Sequence, residues 1–451
     1  MRVLIIGTGY VGLNTGVMLA YLGNDVTCID LNQEKVKRLQ AGEPTIYEPH
    51  LDTLFAEVHP KMRFVGSYAE ADIPNQDVVF IAVNTPSLID GNADLSYVKL
   101  AAESIAEHLG EKFVVVVNKS TVPIGSGNWV EATIREHYQE LHGSKPDGLF
   151  NVVSSPEFLA QGSARHGSFY PDRIVVGSEH EPSIERLKTL FRPIIHQDFV
   201  APACLPRPAG LAEVPLLVCD LTSAEMIKYA ANSFLALKIS FINEVAHLAQ
   251  KVGADVSAIA KGIGLDKRIG DRFLNAGIGW GGSCFGKDTA ALVATAKDYN
   301  LDMPIIRSAR DVNYAQRTWV VDRLQDELKI LKGKHIALLG FSFKPNTDDL
   351  RDAPSLDISR ILVQRGAIVR AHDPVALENA RSQYPTLGIS YTNTINETLQ
   401  DADAIVLVTE WTAYREISWQ DFPPVPVIDG RNFLDRERLT SLGFHVIGIG
   451  K

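Results

Sequence analysis

The sequence predicts an α/β protein with two Rossmann-like, doubly wound domains bridged by a long central helix and a small helical domain. Three observations carry this reading. Short apolar runs alternate with helical stretches through the N-terminal half, the pattern of a parallel sheet covered on both faces. A stretch without Gly or Pro then runs from Leu221 to Val252. At "KHIALLGFSFKPNTDD", from Lys334, the strand-then-loop pattern starts again. The expected divisions are 1–215, 216–320 and 321–451.

In chain order, "RVLIIG" is a buried strand and the segment from Tyr10 to Leu22 a helix. "DVTCID", "DVVFIAVNTP", "FVVVVNKSTVP" and "FNVVSSPEF" follow as strands with the loops that leave them. The proline-rich region from Phe191 to Pro215 reads as a looser, extended connection. A helix over Leu221–Val252 would be roughly 45 Å long, enough to join two domains. Its apolar residues cover more than one face, which predicts burial between domains or subunits and favours a homodimer or higher homo-oligomer. "AIVRAHDP", "ADAIVLVTEW" and "VPVIDGRN" complete the second set of strands.

The bulk composition is that of an ordinary globular protein. A formal charge of −10 argues against nucleic acid as the main partner, although local donors could still hold a phosphorylated ligand. Cys28, Cys204, Cys219 and Cys284 show no CxxC and no metal-ligand spacing. A disulfide framework and a metal site are therefore not expected, and a reducing compartment is. "MRVLIIG" is too short for the apolar core of a signal peptide, and no apolar run reaches bilayer length. The expectation is a cytoplasmic protein with no membrane partner.

"GTGYVG" places Gly7, Gly9 and Gly12 in G-x-G-x-x-G spacing directly after a strand, with Tyr10 and Val11 opening the helix. The first glycine allows the tight turn, the second lets backbone approach a pyrophosphate, and the third admits close helix–strand packing. The helix N-terminus adds free N–H groups for the phosphates. Asp30 ends the next strand, where a carboxylate accepts from ribose hydroxyls and repels a 2′-phosphate. NAD is the expected cofactor, in preference to NADP.

Thr85 in "NTP", Thr121 in "KSTVP" and Glu157 in "SSPEF" also stand at strand ends, where open α/β sheets bind ligands. Each alone reads equally as a turn or cap residue. Glu225, Lys228 and Asn232 share one face of the long helix at i, i+3 and i+7. They form either a solvated stripe or, among apolar flanks, a cation and amide able to stabilise an oxyanion. In "GIGWGGSCFGKD", Cys284 follows a glycine run and precedes Lys287 and Asp288. The local run leaves open a packed residue, a redox thiol or a covalent nucleophile.

"GTGYVGL", "STVP", "PEFL", "SAEMIKYAANSFLALKISFINE", "GGSCFGKD" and "FSFKPNTDDLRDAPS" together resemble the motifs of the UDP-glucose/GDP-mannose dehydrogenase family. The likeness runs in family order from Met1 to "DGRNFLD" and "GFHVIGIG". It implies oxidation of the C6 alcohol of a nucleotide-linked hexose to a carboxylate, with two NAD and no release of the aldehyde, as in the supply of uronates for polysaccharide biosynthesis. UDP-glucose is the implied substrate. Cys284 would capture the aldehyde as a thiohemiacetal, which a second hydride loss turns into a thioester for water to cleave. Lys228 and Asn232 would stabilise oxyanions, Asp288 would activate water with Lys228, and Glu157 and Thr121 would serve in hydrolysis.

The resemblance implies further contacts. Asp30 and Lys35 would hold the adenosine ribose, with Thr85, Thr121, Gln161 and Arg351 also at NAD. Glu157, Phe158, Leu159, Lys228, Asn232, Arg268, Phe273, Leu274, Gly281, Phe285, Lys344 and Arg431 would contact the nucleotide sugar, Arg268 reaching it from a neighbouring subunit. Gly286 stands where many members carry proline, Gln161 where glutamate is usual, and Asn84 where glycine is common. The segment from Ala201 to Val214 looks inserted. Sister enzymes for GDP-mannose or a UDP-N-acetylhexosamine are the nearest alternative. A two-electron hydroxy-acid dehydrogenase would need no cysteine, and a non-catalytic NAD sensor would not need Cys284, Lys228, Asn232 and Asp288 together.

Overall fold

Val3 and Ile5 of the first strand are buried in one apolar cluster, and Leu4 and Ile6 in another on the opposite face. A strand covered on both sides belongs inside a parallel sheet flanked by helices. The computed structural model, which describes residues 1–86, 88 and 93–451, contains that sheet. Two units are distinguished, Met1–Ala230 and Ala231–Lys451.

The first unit has eight strands: β1 (Arg2–Ile6), β2 (Asp25–Ile29), β3 (Met62–Val65), β4 (Val78–Ile81), β5 (Val114–Asn118), β6 (Phe150–Ser154), β7 (Ile174–Gly177) and β8 (Leu216–Cys219). Their order is β3-β2-β1-β4-β5-β6-β7-β8, and every pairing is parallel except β6 with β7, which meet antiparallel at Ser154 and Gly177. The chain runs outward one way from β1 through β2 and the other way through β4. This reversal opens a crevice at the carboxyl ends of β1 and β4, where such sheets bind ligands.

The region from Phe191 is more ordered than its prolines suggest. The helix Glu181–His196 continues through Pro193, because Leu187, Leu190, Phe191 and Ile194 form a buried stripe at helical spacing. Beyond it, Leu205 and Val214 are buried in the same cluster as β1.

The second unit holds β9 (His335–Leu339), β10 (Ile368–His372), β11 (Ser390–Tyr391), β12 (Ala404–Leu407), β13 (Pro426–Asp429) and β14 (His445–Gly448). Their order is β11-β10-β9-β12-β13-β14, parallel throughout. β9 repeats the two-faced burial of β1, with Ile336 and Leu338 in one cluster and Ala337 and Leu339 in another. Helices Val256–Gly264, Phe285–Asp298 and Pro304–Leu328 precede this sheet. The long helix Leu221–Val252 contains the division between units, so Glu225 and Lys228 belong to the first and Asn232 to the second. Among the described residues, no helix is long and apolar enough to cross a membrane.

Candidate active site

In the first unit, the turn after β1 has the shape a pyrophosphate needs. A Cβ on Gly12 would lie 1.9 Å from the Gly7 carbonyl oxygen, so only glycine lets the helix Tyr10–Tyr21 pack there. A Cβ on Gly9 would find nothing nearer than Asn84 Oδ1 at 3.9 Å, so the Gly9 face is open at the helix N-cap. Tyr10 and Val11 form the first turn behind it. Asp30 Oδ2 accepts from Thr8 Oγ1 at 2.6 Å and stands 3.4 Å from Lys35 Nζ. Burial pushes this carboxyl up, but the Thr8 and Asn32 donors and Lys35 outweigh it and hold Asp30 below its ordinary value. An open glycine face beside an ionised carboxylate fits NAD.

Across the switch point, Thr85 Oγ1 donates to the Thr121 carbonyl at 2.7 Å, joining the loops after β4 and β5. The loop after β6 carries Glu157, whose Oε1 accepts from Lys228 Nζ at 2.8 Å and whose Oε2 accepts from the Leu159 N–H at 2.6 Å. Burial pushes the Glu157 carboxyl up, but Lys228 and the Leu159 N–H bring it below its ordinary value. The Phe158 ring lies 3.8 Å from the Arg173 guanidinium and 5.6 Å from Lys228 Nζ. Gln161 Oε1 is buried without a hydrogen-bond partner among the described residues. Lys119, which no motif marks in the sequence, also joins this group. Its ammonium points at the Ser155 carbonyl at 3.4 Å, and burial pushes it down to about 8, with Glu157 opposing and Lys228 assisting. Its only sequence signal is its place immediately before "STVP".

In the second unit, Cys284 is the half-buried N-cap of the helix Phe285–Asp298, with Ser283 Oγ 3.6 Å from its sulfur. A helix N-terminus favours the thiolate. One turn on, Asp288 is fully buried and accepts from Asn232 Nδ2 at 2.6 Å and from Lys287 Nζ at 2.6 Å. One face of the helix Pro304–Leu328 braces this loop. Asn313 exchanges bonds with the Trp280 N–H at 2.7 Å and carbonyl at 3.0 Å. Arg310 donates to the Gly286 carbonyl at 2.7 Å, and Arg317 to the Trp280 carbonyl at 3.1 Å. These three were not legible as site residues, because their i, i+3, i+7 spacing looks like any polar helix face.

Other anticipated residues gather less tightly. Phe273 has positive φ and its ring lies 6.3 Å from that of Phe285, while Leu274 is buried beside it in sequence. Gly281 is pressed on the Asp352 carbonyl, 2.3 Å from where a Cβ would be. Arg431 donates to the Gly279 carbonyl at 3.0 Å and pairs with Glu410 at 3.3 Å, which brings β13's loop to the cysteine loop. Lys344 Nζ lies 5.4 Å over the Phe343 ring. Arg351 is bidentate on Asp349, and its carbonyl accepts from the Gly282 N–H at 2.9 Å. Arg268 is held by Asp266 with its side chain 89% exposed, and among the described residues it bonds to none of the site. Among the described residues, no group of three potential ligands could hold a metal ion.

Three domains of one family match the chain in order: the UDP-glucose/GDP-mannose dehydrogenase NAD binding domain over residues 1–195, the central domain over 222–315 and the UDP binding domain over 337–436. The UDP-glucose 6-dehydrogenase YwqF of Bacillus subtilis is 41% identical over 100% of this chain and 98% of its own length. The UDP-glucose 6-dehydrogenase of Rickettsia bellii is 39% identical, covering 100% of this chain and 99% of its own. Among solved structures, a UDP-glucose dehydrogenase from Pyrobaculum islandicum superposes with a TM-score of 0.86 at 37% identity, over 96% of this chain and 94% of its own. A UDP-D-ManNAc dehydrogenase from Pyrococcus horikoshii reaches 0.83 at 26% identity, over 100% of this chain and 99% of its own.

Proposed function

The chain belongs to the UDP-glucose/GDP-mannose dehydrogenase family, and from that premise we propose that it oxidises UDP-glucose to UDP-glucuronate with two NAD. The observation that carries the chemistry is Cys284 at a helix N-terminus, one turn before the buried Asp288–Asn232 pair. A two-electron alcohol dehydrogenase has no use for that arrangement.

NAD, when bound, accepts the hydride at each oxidation. In the first, the C6 hydroxyl loses its proton and the carbon its hydride, leaving an aldehyde. A free aldehyde is a poor hydride donor, so the Cys284 thiolate adds to the carbonyl carbon and the oxygen takes up a proton. This thiohemiacetal loses a hydride from carbon and a proton from oxygen to become a thioester. Water then adds to the acyl carbon, and the C–S bond breaks with the pair returning to Cys284. One alcohol, two NAD and one water thus yield one carboxylate, two NADH and three protons.

Lys228 and Asn232 would present N–H donors to the oxygen wherever it carries charge. Asp288, the acceptor in its pair with Asn232, would orient the hydrolytic water. Glu157, ionised beside Lys228, would position water with Thr121. The open Gly9 face and the Asp30 carboxylate would hold NAD, with Lys35 and Thr85 nearby. The second unit would bind the uridine nucleotide, a reading supported by the match of its sheet region to the family's UDP binding domain. "GFSFKP" after β9 lacks the second and third glycines of the first turn, while Lys344 and Arg431 offer positive charge.

Self-association is part of this reading. Phe234, Phe241 and Leu248 recur every seven residues on the long helix and remain 49–65% exposed in the single chain. A cytoplasmic setting suits four unbridged cysteines. The test is to count NADH over a panel of UDP-glucose, GDP-mannose and a UDP-N-acetylhexosamine. Two NADH per UDP-glucose, with slower turnover of the others, is expected; one NADH per substrate would end the thioester route.

A further inference from the structure

Glu225 belongs to the helix stripe that includes Lys228, yet the proposed chemistry leaves it without a task. It is 3% exposed, and its carboxylate reaches across to another segment of the first unit. Oε2 accepts from the Gly125 N–H at 2.6 Å and Oε1 from the Gly127 N–H at 2.7 Å. These amides begin the helix Ser126–His142, where Gly125 is the N-cap without a side-chain cap and the first turn has no acidic residue. A helix start leaves N–H groups needing partners, and here a carboxylate from a different helix provides them.

The segment so held carries Thr121. Its carbonyl is held by Thr85 on one side, and four residues on, the Gly125 amide is held by Glu225. Gly127 completes the fit, since a Cβ there would come within 2.9 Å of Leu221 Cδ2 and 3.1 Å of Glu225 Oε1. One turn along the same helix, Lys228 is bonded to Glu157. We propose that Glu225 is a positioning residue, which ties the Thr121 segment to the helix carrying Lys228 and thereby sets cofactor-side and oxyanion-side groups in register. This rests on the reaction proposed above and adds a residue to it.

A cap that merely stabilises the fold would change the fraction of active protein, lowering kcat alone. A positioning residue changes how well NAD is held, so KM and the dissociation constant for NAD must move as well. Glu225→Gln keeps the shape but turns one acceptor into an N–H donor facing a backbone N–H. Leaving one such buried group unpaired should lower kcat by about tenfold or more and weaken NAD by a similar factor. The UDP-glucose KM should stay within about twofold, because the altered segment is on the cofactor side. Hydrogen exchange read alongside should be faster at the Gly125 and Gly127 amides and unchanged in the sheet. Faster exchange there with kcat and NAD binding at wild-type values would overturn the proposal.

If Glu225→Gln does not fold, Gly127→Ala keeps the carboxylate and displaces it from the other side. It should shift NAD binding and kcat in the same direction, and wild-type values for both would equally overturn the proposal. Should the unaltered protein release one NADH per UDP-glucose, the reaction scheme fails by itself. The exchange and NAD-binding measurements would still decide the role of Glu225.

Discussion

Lys228 and Glu157 form an ion pair at 2.8 Å with side chains only 4% and 5% exposed. Two charges this deeply buried depend on each other, since neither can recover its hydration. Removing one partner should cost about 3–5 kcal/mol of stability, because the buried charge that remains loses its ion-pair partner at 2.8 Å. Lys228→Met and Glu157→Gln should each lower the urea midpoint, and the double variant should fall by less than the sum of the two. Strict additivity in this cycle would mean that the pair is not coupled.

Asp30 should account for the cofactor preference. Its carboxylate is held ionised by Thr8, Asn32 and Lys35, so on the proposed reading it would present charge where NADP carries a phosphate. Asp30→Ala should weaken NAD binding and narrow the gap to NADP. Equal use of both cofactors by the unaltered protein would contradict this assignment.

Cys284→Ala should abolish uronate formation while leaving the binding of NAD and UDP-glucose largely intact, because the groups proposed to hold them are the Gly9 turn and Asp30 for NAD and the charged groups of the second unit for the nucleotide. The loss should amount to about 4 kcal/mol or more in barrier. Steady-state acid production, measured beside both binding constants, separates the possibilities. Near-normal turnover would exclude a covalent route, and loss of binding together with turnover would reduce Cys284 to a packing role.

Lys119 should leave a signature in the pH dependence of stability. Its folded value is lowered to about 8 by burial, from an ordinary value of 10.5. Between those values the unfolded chain binds more protons than the folded one, so stability rises with pH across that window. Below about pH 8 both states are protonated, and the burial penalty is constant. Lys119→Met removes the group. The difference in urea midpoint between wild type and variant should therefore shift in favour of wild type from pH 8 to pH 10. A difference independent of pH would show that Lys119 keeps an ordinary value.

The two-sheet architecture and the glycine turn were legible in the sequence, because each is written in local order, whereas the local run around Cys284 left its role open. Both faces of β1 and β9 are buried, so their apolar runs stand out with no knowledge of partners. Gly7, Gly9 and Gly12 act through backbone geometry within six residues. The helix Leu221–Val252 was legible from the absence of Gly and Pro. The helix through Pro193 was not, because tertiary burial of Leu190, Phe191 and Ile194 overrides the local penalty of proline.

Tertiary structure decided the pairings. Glu225 and Lys228 are three residues apart and both buried, yet one carboxylate caps a helix nearly a hundred residues earlier in the chain and the ammonium meets Glu157. Spacing on one helix shows which residues share a face, but what covers that face depends on segments distant in sequence. The same holds for Asn313 and Arg317, whose amide and guanidinium reach the Trp280 N–H and carbonyl, and Arg317 also Asp352, from positions distant in sequence. A hydrogen bond is specified by distance and direction in space, and only the folded chain supplies those.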